Sequence, residues 1–115
     1  MTSRVLVVDD DQAMVRTLCD ILRLRGWECD GVHSGQEAVN AACSGSYSTA
    51  IMDITMPGMD GVTACREMKN CSPEVRVLLM TAHGTDSTIA AAAQGGAYRV
   101  LSKPLDLPNV LTLLK

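Results

Sequence analysis

A chain of 115 residues has room for one domain and too little for two, and a core of that size folds without disulfides or structural metal. Hydrophobic residues make up 47%, charged residues 20%, and the net charge is −3 with scattered cations, which argues against direct nucleic-acid binding. No apolar run reaches the roughly 18 residues of a membrane span, and "MTSRVLVVDDD" meets acids too early for a secretory leader, so a cytoplasmic protein without membrane contact is expected.

The first apolar run, Val5 to Val8, is continuous and β-branched, as in a strand covered on both faces. Val15, Leu18, Cys19 and Leu22 then follow helical spacing, and Gly26 is a plausible stop. A weaker strand lies near Cys29 to Val32, followed by a short helical face of Ala38, Val39 and Ala42. Ala50-Ile51-Met52 forms the third strand, and Val62, Cys65 and Met68 the third helical face. The fourth strand takes Val75 and Val77-Leu78-Leu79. Its helix, near residues 87–94, is alanine-rich with Ile89 as its bulky anchor, Asp86 to cap it and Gly95-Gly96 to end it. Val100-Leu101 makes the fifth strand, and Leu107, Val110, Leu111 and Leu114 the last helix. Five β-α units in series predict an α/β fold, a five-stranded parallel sheet with helices on both faces and right-handed crossovers.

Cysteines stand at 19, 29, 43, 65 and 71. The count is odd and there is no CxxC pair, so the expectation is a reduced chain whose cysteines pack as small apolar residues. Phe is absent, which implies an aliphatic core.

In open parallel α/β sheets, ligands bind beyond the carboxyl ends of the strands. Those ends supply Asp9, Asp10 and Asp11, then Asp53, Thr81 and Lys103, while the second strand ends at His33-Ser34 and offers nothing comparable. Each residue alone has an ordinary role. Asp10 or Asp11 can cap the first helix, Asp53 can be a turn acid, Thr81 suits a strand end and Lys103 can snorkel to solvent. On one rim together they point further. Clustered carboxylates repel, and a hard divalent cation such as Mg²⁺ relieves the conflict. One carboxylate can then act as nucleophile toward a phosphoryl group, with the lysine and metal stabilising its charge.

The segments "LVVDDD", "AIMDITMPGMDG", "VLLMTAHG" and "LSKPLDL" resemble, in order and spacing, the receiver domains of two-component response regulators. The resemblance runs from about residue 4 to 114, so residues 1–115 read as one receiver domain, with the natural chain expected to continue beyond Lys115. It implies a doubly wound (βα)5 flavodoxin-like sandwich. It makes Asp53 the phosphoacceptor and Asp10 a direct ligand of Mg²⁺ (or Mn²⁺). Asp9 would bind the metal more loosely and the backbone carbonyl of Thr55 would complete the site. Lys103 would contact the phosphoryl group, Thr81 would move toward it, and Ala82 would leave room for that movement. Lys103-Pro104 resembles the family's cis peptide, a bond that costs little before proline.

One position departs from the pattern. Many receivers carry an aromatic residue three positions before the lysine, and here that residue is Val100. Either Val100 is passive filling, or Tyr98, five before Lys103, substitutes for the aromatic. His33 and His83 are too far apart to suggest a paired metal site. His83 reads as a residue of the site entrance or as an exposed loop residue, and Met56 as a gate to water or as packing. Asp60 and Gly61 shape the turn into the third helix.

The function these residues imply is a phosphorylation-activated signalling switch that accepts phosphate from a sensor histidine kinase or phosphotransfer protein. It catalyses only its own phosphorylation and dephosphorylation. The sparsely anchored fourth helix and residues 82–86 are the candidate switch element. A homodimer through the fourth helix and fifth strand, and a transcriptional or hybrid-kinase setting, are further implications. A phosphorylation-independent docking receiver is the alternative. An aspartyl-phosphate phosphohydrolase fits less well because position 55 is Thr rather than a second acid, and a dinucleotide-binding domain because no GxGxxG follows the first strand.

Overall fold

In the computed structural model, residues 4–82 and 84–114 are described. Strands and helices alternate as β1 (Arg4–Val8), α1 (Gln12–Leu24), β2 (Glu28–Val32), α2 (Gly35–Ser44), β3 (Thr49–Asp53), α3 (Gly61–Cys71), β4 (Arg76–Thr81), α4 (Asp86–Gln94), β5 (Arg99–Ser102) and α5 (Leu107–Leu114). The strands form one sheet in the order β2-β1-β3-β4-β5, and every neighbouring pair is parallel. This is the expected doubly wound flavodoxin-like fold. The order reverses between β1 and β3, which opens a crevice at their carboxyl ends.

Strand alternation sorts the core into two layers. Leu6, Val8, Ala50, Met52, Val77 and Leu79 face α2, α3 and α4. Val5, Val7, Ile51, Leu78 and Met80 face α1 and α5. All of these are fully buried, each contributing roughly 1.5–3 kcal/mol where it is Val, Leu, Ile or Met. Because β3 is central and wholly buried, the position of its last residue, Asp53, is set by packing on both faces.

The helix starts are hydrogen-bonded. Asp11 Oδ1 accepts from the Met14 N–H at 3.2 Å, Ser34 Oγ from Glu37 N–H at 3.1 Å and Asp60 Oδ1 from Thr63 N–H at 2.9 Å. At α4 the cap is Thr85, whose Oγ1 accepts from Thr88 N–H at 3.2 Å. Asp86, the cap expected from sequence, is instead the first helical residue, where its charge still complements the helix dipole. Ile89 does not anchor α4 either. It is 46% exposed, and Ala92 is the helix's buried residue. Ala90, Ala91 and Ala93 are exposed as well, so α4 rests on the sheet through Ala92.

The cysteines correct the sequence expectation most clearly. Cys43, near the end of α2, and Cys71, the last residue of α3, are joined by a disulfide with their Cα atoms 5.4 Å apart. They are 28 positions apart and meet only because α2 packs beside α3 on one face of the sheet, so no local spacing announced the pair. Cys19, Cys29 and Cys65 are free and buried, as expected. The core is aliphatic and sulfur-rich, with Tyr47 the one aromatic ring buried in it among the described residues.

Candidate phosphoacceptor site

β1 ends at Val8, and the next residue, Asp9, remains 1% exposed because β2 and β3 flank the strand on both sides. Asp53 ends β3 next door and is 7% exposed, while Asp10 projects into solvent. Carboxylate oxygens of these three residues lie within 4.8 Å of one another.

Among the described residues, the ammonium paired with these acids arrives from the far end of the chain. Lys103 follows β5 and its N–H donates to the Thr81 carbonyl at 2.9 Å, which extends the β4–β5 ladder by one step. Its Nζ donates to Asp53 Oδ2 at 2.8 Å and to Asp9 Oδ2 at 3.1 Å. Burial lowers the Lys103 pKa, but the hydrogen bonds and charges of Asp53 and Asp9 outweigh it and the net shift is upward, so the ammonium stays charged. The peptide bond from Lys103 to Pro104 is cis, as expected.

Backbone groups orient the acids. Asp53 Oδ1 accepts from Thr55 N–H at 3.1 Å, and Asp9 Oδ1 from Asp11 N–H at 3.0 Å. The Asp10 carboxyl is held above its usual range, chiefly by its hydrogen bond with Asp9, then by partial desolvation and the neighbouring negative charge. Among the described residues, three carboxylates therefore face one ammonium, and the clustered donors are hard oxygens. That set fits a hard divalent cation of the Mg²⁺ or Ca²⁺ type and does not fit a soft thiophilic metal.

Thr81 ends β4, is 6% exposed, and lies one residue past Met80, the register partner of Asp53. Ala82 follows it, exposed. Gly61 closes the loop after Asp53, donating its N–H to the Ile54 carbonyl at 2.8 Å. A Cβ at Gly61 would lie 2.3 Å from the Asp53 carbonyl oxygen, so only glycine permits this approach.

Other candidates lie outside this cluster. Asp11 is the α1 cap. Met56 is 7% exposed and packs into the core on the α2–α4 side, which favours packing over a gate. Val100 pairs in register with Leu79 and packs against that same cluster. Tyr98 precedes β5, is 43% exposed, and the guanidinium groups of Arg76 and Arg99 lie over its ring, 5.2 and 5.0 Å from its centroid. His83 falls outside the described residues. Sequence reasoning missed two contributions. His33 Nδ1 lies 3.3 Å from the Asp9 carbonyl, and the Thr55 N–H orients the Asp53 carboxylate. The first was signalled only by its place at a strand end, and the second is a backbone effect that no residue type encodes. A groove of about 670 Å³ runs from Asp9 and Lys103 between α1 and α5, walled by Met14, Leu18, Ile21, Leu105 and Leu107.

Comparison with known proteins bears on this arrangement. The family model for the response regulator receiver domain matches residues 5–115, and the chain belongs to that family. Response regulator MprA of Mycobacterium bovis is 31% identical over 115 residues, which are 100% of this chain and 50% of that protein. The Mycobacterium tuberculosis MprA gives the same figures, so the chain spans about half the length of these relatives. Among solved structures, a Burkholderia pseudomallei response regulator crystallised with a phosphorylated aspartic acid, calcium ion and citrate is 25% identical with a TM-score of 0.91, covering 98% of this chain and 66% of that one. The beryllofluoride-activated NtrC4 receiver domain dimer is 32% identical with a TM-score of 0.87, covering 96% and 92%. A CheY-like receiver from Methanospirillum hungatei, 22% identical with a TM-score of 0.94 over 99% of this chain and 91% of that one, shares the fold.

Proposed function

We propose that this receiver is switched by phosphorylation of Asp53, with the phosphoryl group supplied by the phosphohistidine of a sensor kinase or phosphotransfer protein. One observation carries the reading: the Asp53 carboxylate is held on one oxygen by Thr55 N–H and on the other by Lys103 Nζ, beside Asp9 and Asp10. The phosphorylated aspartic acid of the Burkholderia pseudomallei protein supports it.

In this reading an Asp53 oxygen attacks phosphorus, the phosphorus–nitrogen bond to the donor histidine breaks, and its electron pair returns to the imidazole. Lys103 already bonds the attacking group and passes to a phosphoryl oxygen as charge moves onto it. Thr81 offers its hydroxyl to a second phosphoryl oxygen, and Ala82 leaves room for that rotation. Asp10 and Asp53, with Asp9 and the Thr55 carbonyl, would hold Mg²⁺ or Mn²⁺, whose charge offsets that of the carboxylates and the incoming phosphoryl group. Hydrolysis of the acyl phosphate restores Asp53 and ends the signal. The chain thus acts on itself and is not an enzyme for an external small molecule.

The new charge biases a two-state element, and α4 is the candidate. It begins five residues after Thr81 and buries Ala92 alone. Val100 fills the core passively here, and Tyr98 lies on the surface of the α4–β5 side, a face suited to a homodimer. The NtrC4 relative, a receiver domain dimer in its activated form, supports pairing between copies. A cytoplasmic setting and a transcriptional output complete the reading, as the resemblance of "MTAHG" and "LSKPLDL" implies.

Incubation with a small phosphodonor and Mg²⁺, followed by intact-mass measurement, tests it. The chain should gain one acid-stable, base-labile phosphoryl group, and Asp53→Asn should gain none. An unmodified parent chain, or a modified Asp53→Asn, refutes the assignment.

A further inference from the structure

Cysteine usage divides sharply by exposure. Cys19, Cys29 and Cys65 are 3%, 5% and 0% exposed, whereas Cys43 and Cys71 are both exposed and disulfide-bonded. A bond at the surface can be reached by small thiols, which the buried cysteines cannot meet without unfolding. Burial also pushes the Cys65 thiol up to about 11, which keeps it inert.

The position of the bond matters as much as its exposure. It joins the C-terminal ends of α2 and α3, and the loop it closes contains β3, Asp53, the loop to Asp60 and all of α3. The Cα atoms lie 5.4 Å apart, within the range of ordinary disulfides, so both states fit nearly the same backbone. The two helices also meet through Ala38, Ala42, Ala64, Cys65 and Met68, contacts that do not involve the bonded sulfurs.

We propose that Cys43 and Cys71 form a reversible thiol–disulfide couple that exchanges with low-molecular-weight thiols and disulfides and clamps the segment carrying the phosphoacceptor. In the reducing direction, a small thiolate attacks one sulfur, the Cys43–Cys71 bond breaks, and the other cysteine leaves as a thiolate that takes up a proton. A second small thiol attacks the mixed disulfide, releasing two protein thiols and one small disulfide. Two electrons pass from two small thiols to the protein, and a small disulfide reverses the exchange. The closed form restrains excursions of residues 44–70, and the open form lets the α2–α3 edge breathe. The couple operates whether or not Asp53 is phosphorylated.

The test uses the full chain equilibrated with excess small disulfide or excess small thiol. Thiols counted after denaturation should number three in the first case and five in the second. Native alkylation of the reduced chain should mark Cys43 and Cys71 and spare the other three. The thermal midpoint should fall on the order of 10 °C on reduction, and amide exchange across residues 44–70 should quicken. Cys43→Ser with Cys71→Ser should fold and show no redox dependence of its midpoint. Cys71→Ser alone should trap a mixed disulfide at Cys43. Five thiols under the oxidising condition, three under the reducing one, or equal midpoints and exchange in two forms that differ in thiol count would each overturn the proposal.

Discussion

Replacing Gly61 by alanine adds one methyl group to the chain and places it against Asp53, the proposed phosphoacceptor. The new Cβ would stand 2.3 Å from the Asp53 carbonyl oxygen and 2.7 Å from Ile54 Cα, and both neighbours are backbone. No side chain can swing away, so the end of β3 or the start of α3 must move by roughly 1 Å to restore van der Waals contact. Overpacking of this kind costs about 1–3 kcal/mol. Alanine regains at most about 0.5–1 kcal/mol over glycine in a helix, and less at the first helical position. A net loss of about 1–2 kcal/mol corresponds to a thermal midpoint lower by roughly 4–12 °C. The displaced group is the carbonyl of Asp53, so the carboxylate moves relative to Lys103 and Thr55 N–H, and phosphorylation from a small donor should slow by roughly 10- to 100-fold. Gly26→Ala is the control. Its Cβ meets nothing within 4 Å and its φ of +91° makes the cost purely conformational, so stability should fall with no change in phosphorylation rate. A Gly61→Ala chain with the parent's midpoint and phosphorylation rate would refute the close-approach argument.

Three further perturbations address other features. Lys103→Gln removes the cation shared by Asp53 and Asp9. It should lower phosphoryl yield at least about tenfold, and Mg²⁺ should raise its thermal midpoint more than it raises the parent's; equal responses in calorimetry would count against a shared charge deficit. Tyr47 is held up to about 12, from its ordinary 10.0, by burial and by its hydrogen bond to Asp30. Its folded pKa exceeds the unfolded one, so its contribution to stability is complete below about pH 10 and is lost as pH rises through about 12. Denaturant titrations across that window should show the fall, and Tyr47→Phe should flatten it. Thr85→Ala removes the α4 cap and should cost about 1 kcal/mol, read as faster amide exchange confined to α4; unchanged exchange there would mean that the cap is dispensable.

The fold was legible because its signals are local and redundant. Each buried strand reads as an unbroken apolar run and each of the longer helices as an apolar stripe. The rim of the sheet was legible for a related reason: strand ends can be counted from those runs, and Asp9, Asp53, Thr81 and Lys103 each follow one. What escaped was non-local or carried by backbone. The Cys43–Cys71 bond depends on which helices become neighbours, and chain order does not announce that. The cap of α4 moved by one residue because Thr85 and Asp86 are both competent and the register of the helix chose between them. Ile89 misled because a bulky residue in an alanine-rich helix resembles an anchor, whereas the helix register turns Ile89 outward and buries Ala92.

The two hydrogen bonds of Lys103 reach back 50 residues to Asp53 and 94 to Asp9. The acids are made early in synthesis and their counter-charge late, after β4 and α4. A growing chain that has not yet extruded β5 therefore presents an acidic crevice without its fixed ammonium or its β5 edge. Under the proposed function, reactivity toward a phosphodonor becomes a report on completion: it rises once the chain's two halves have closed on each other.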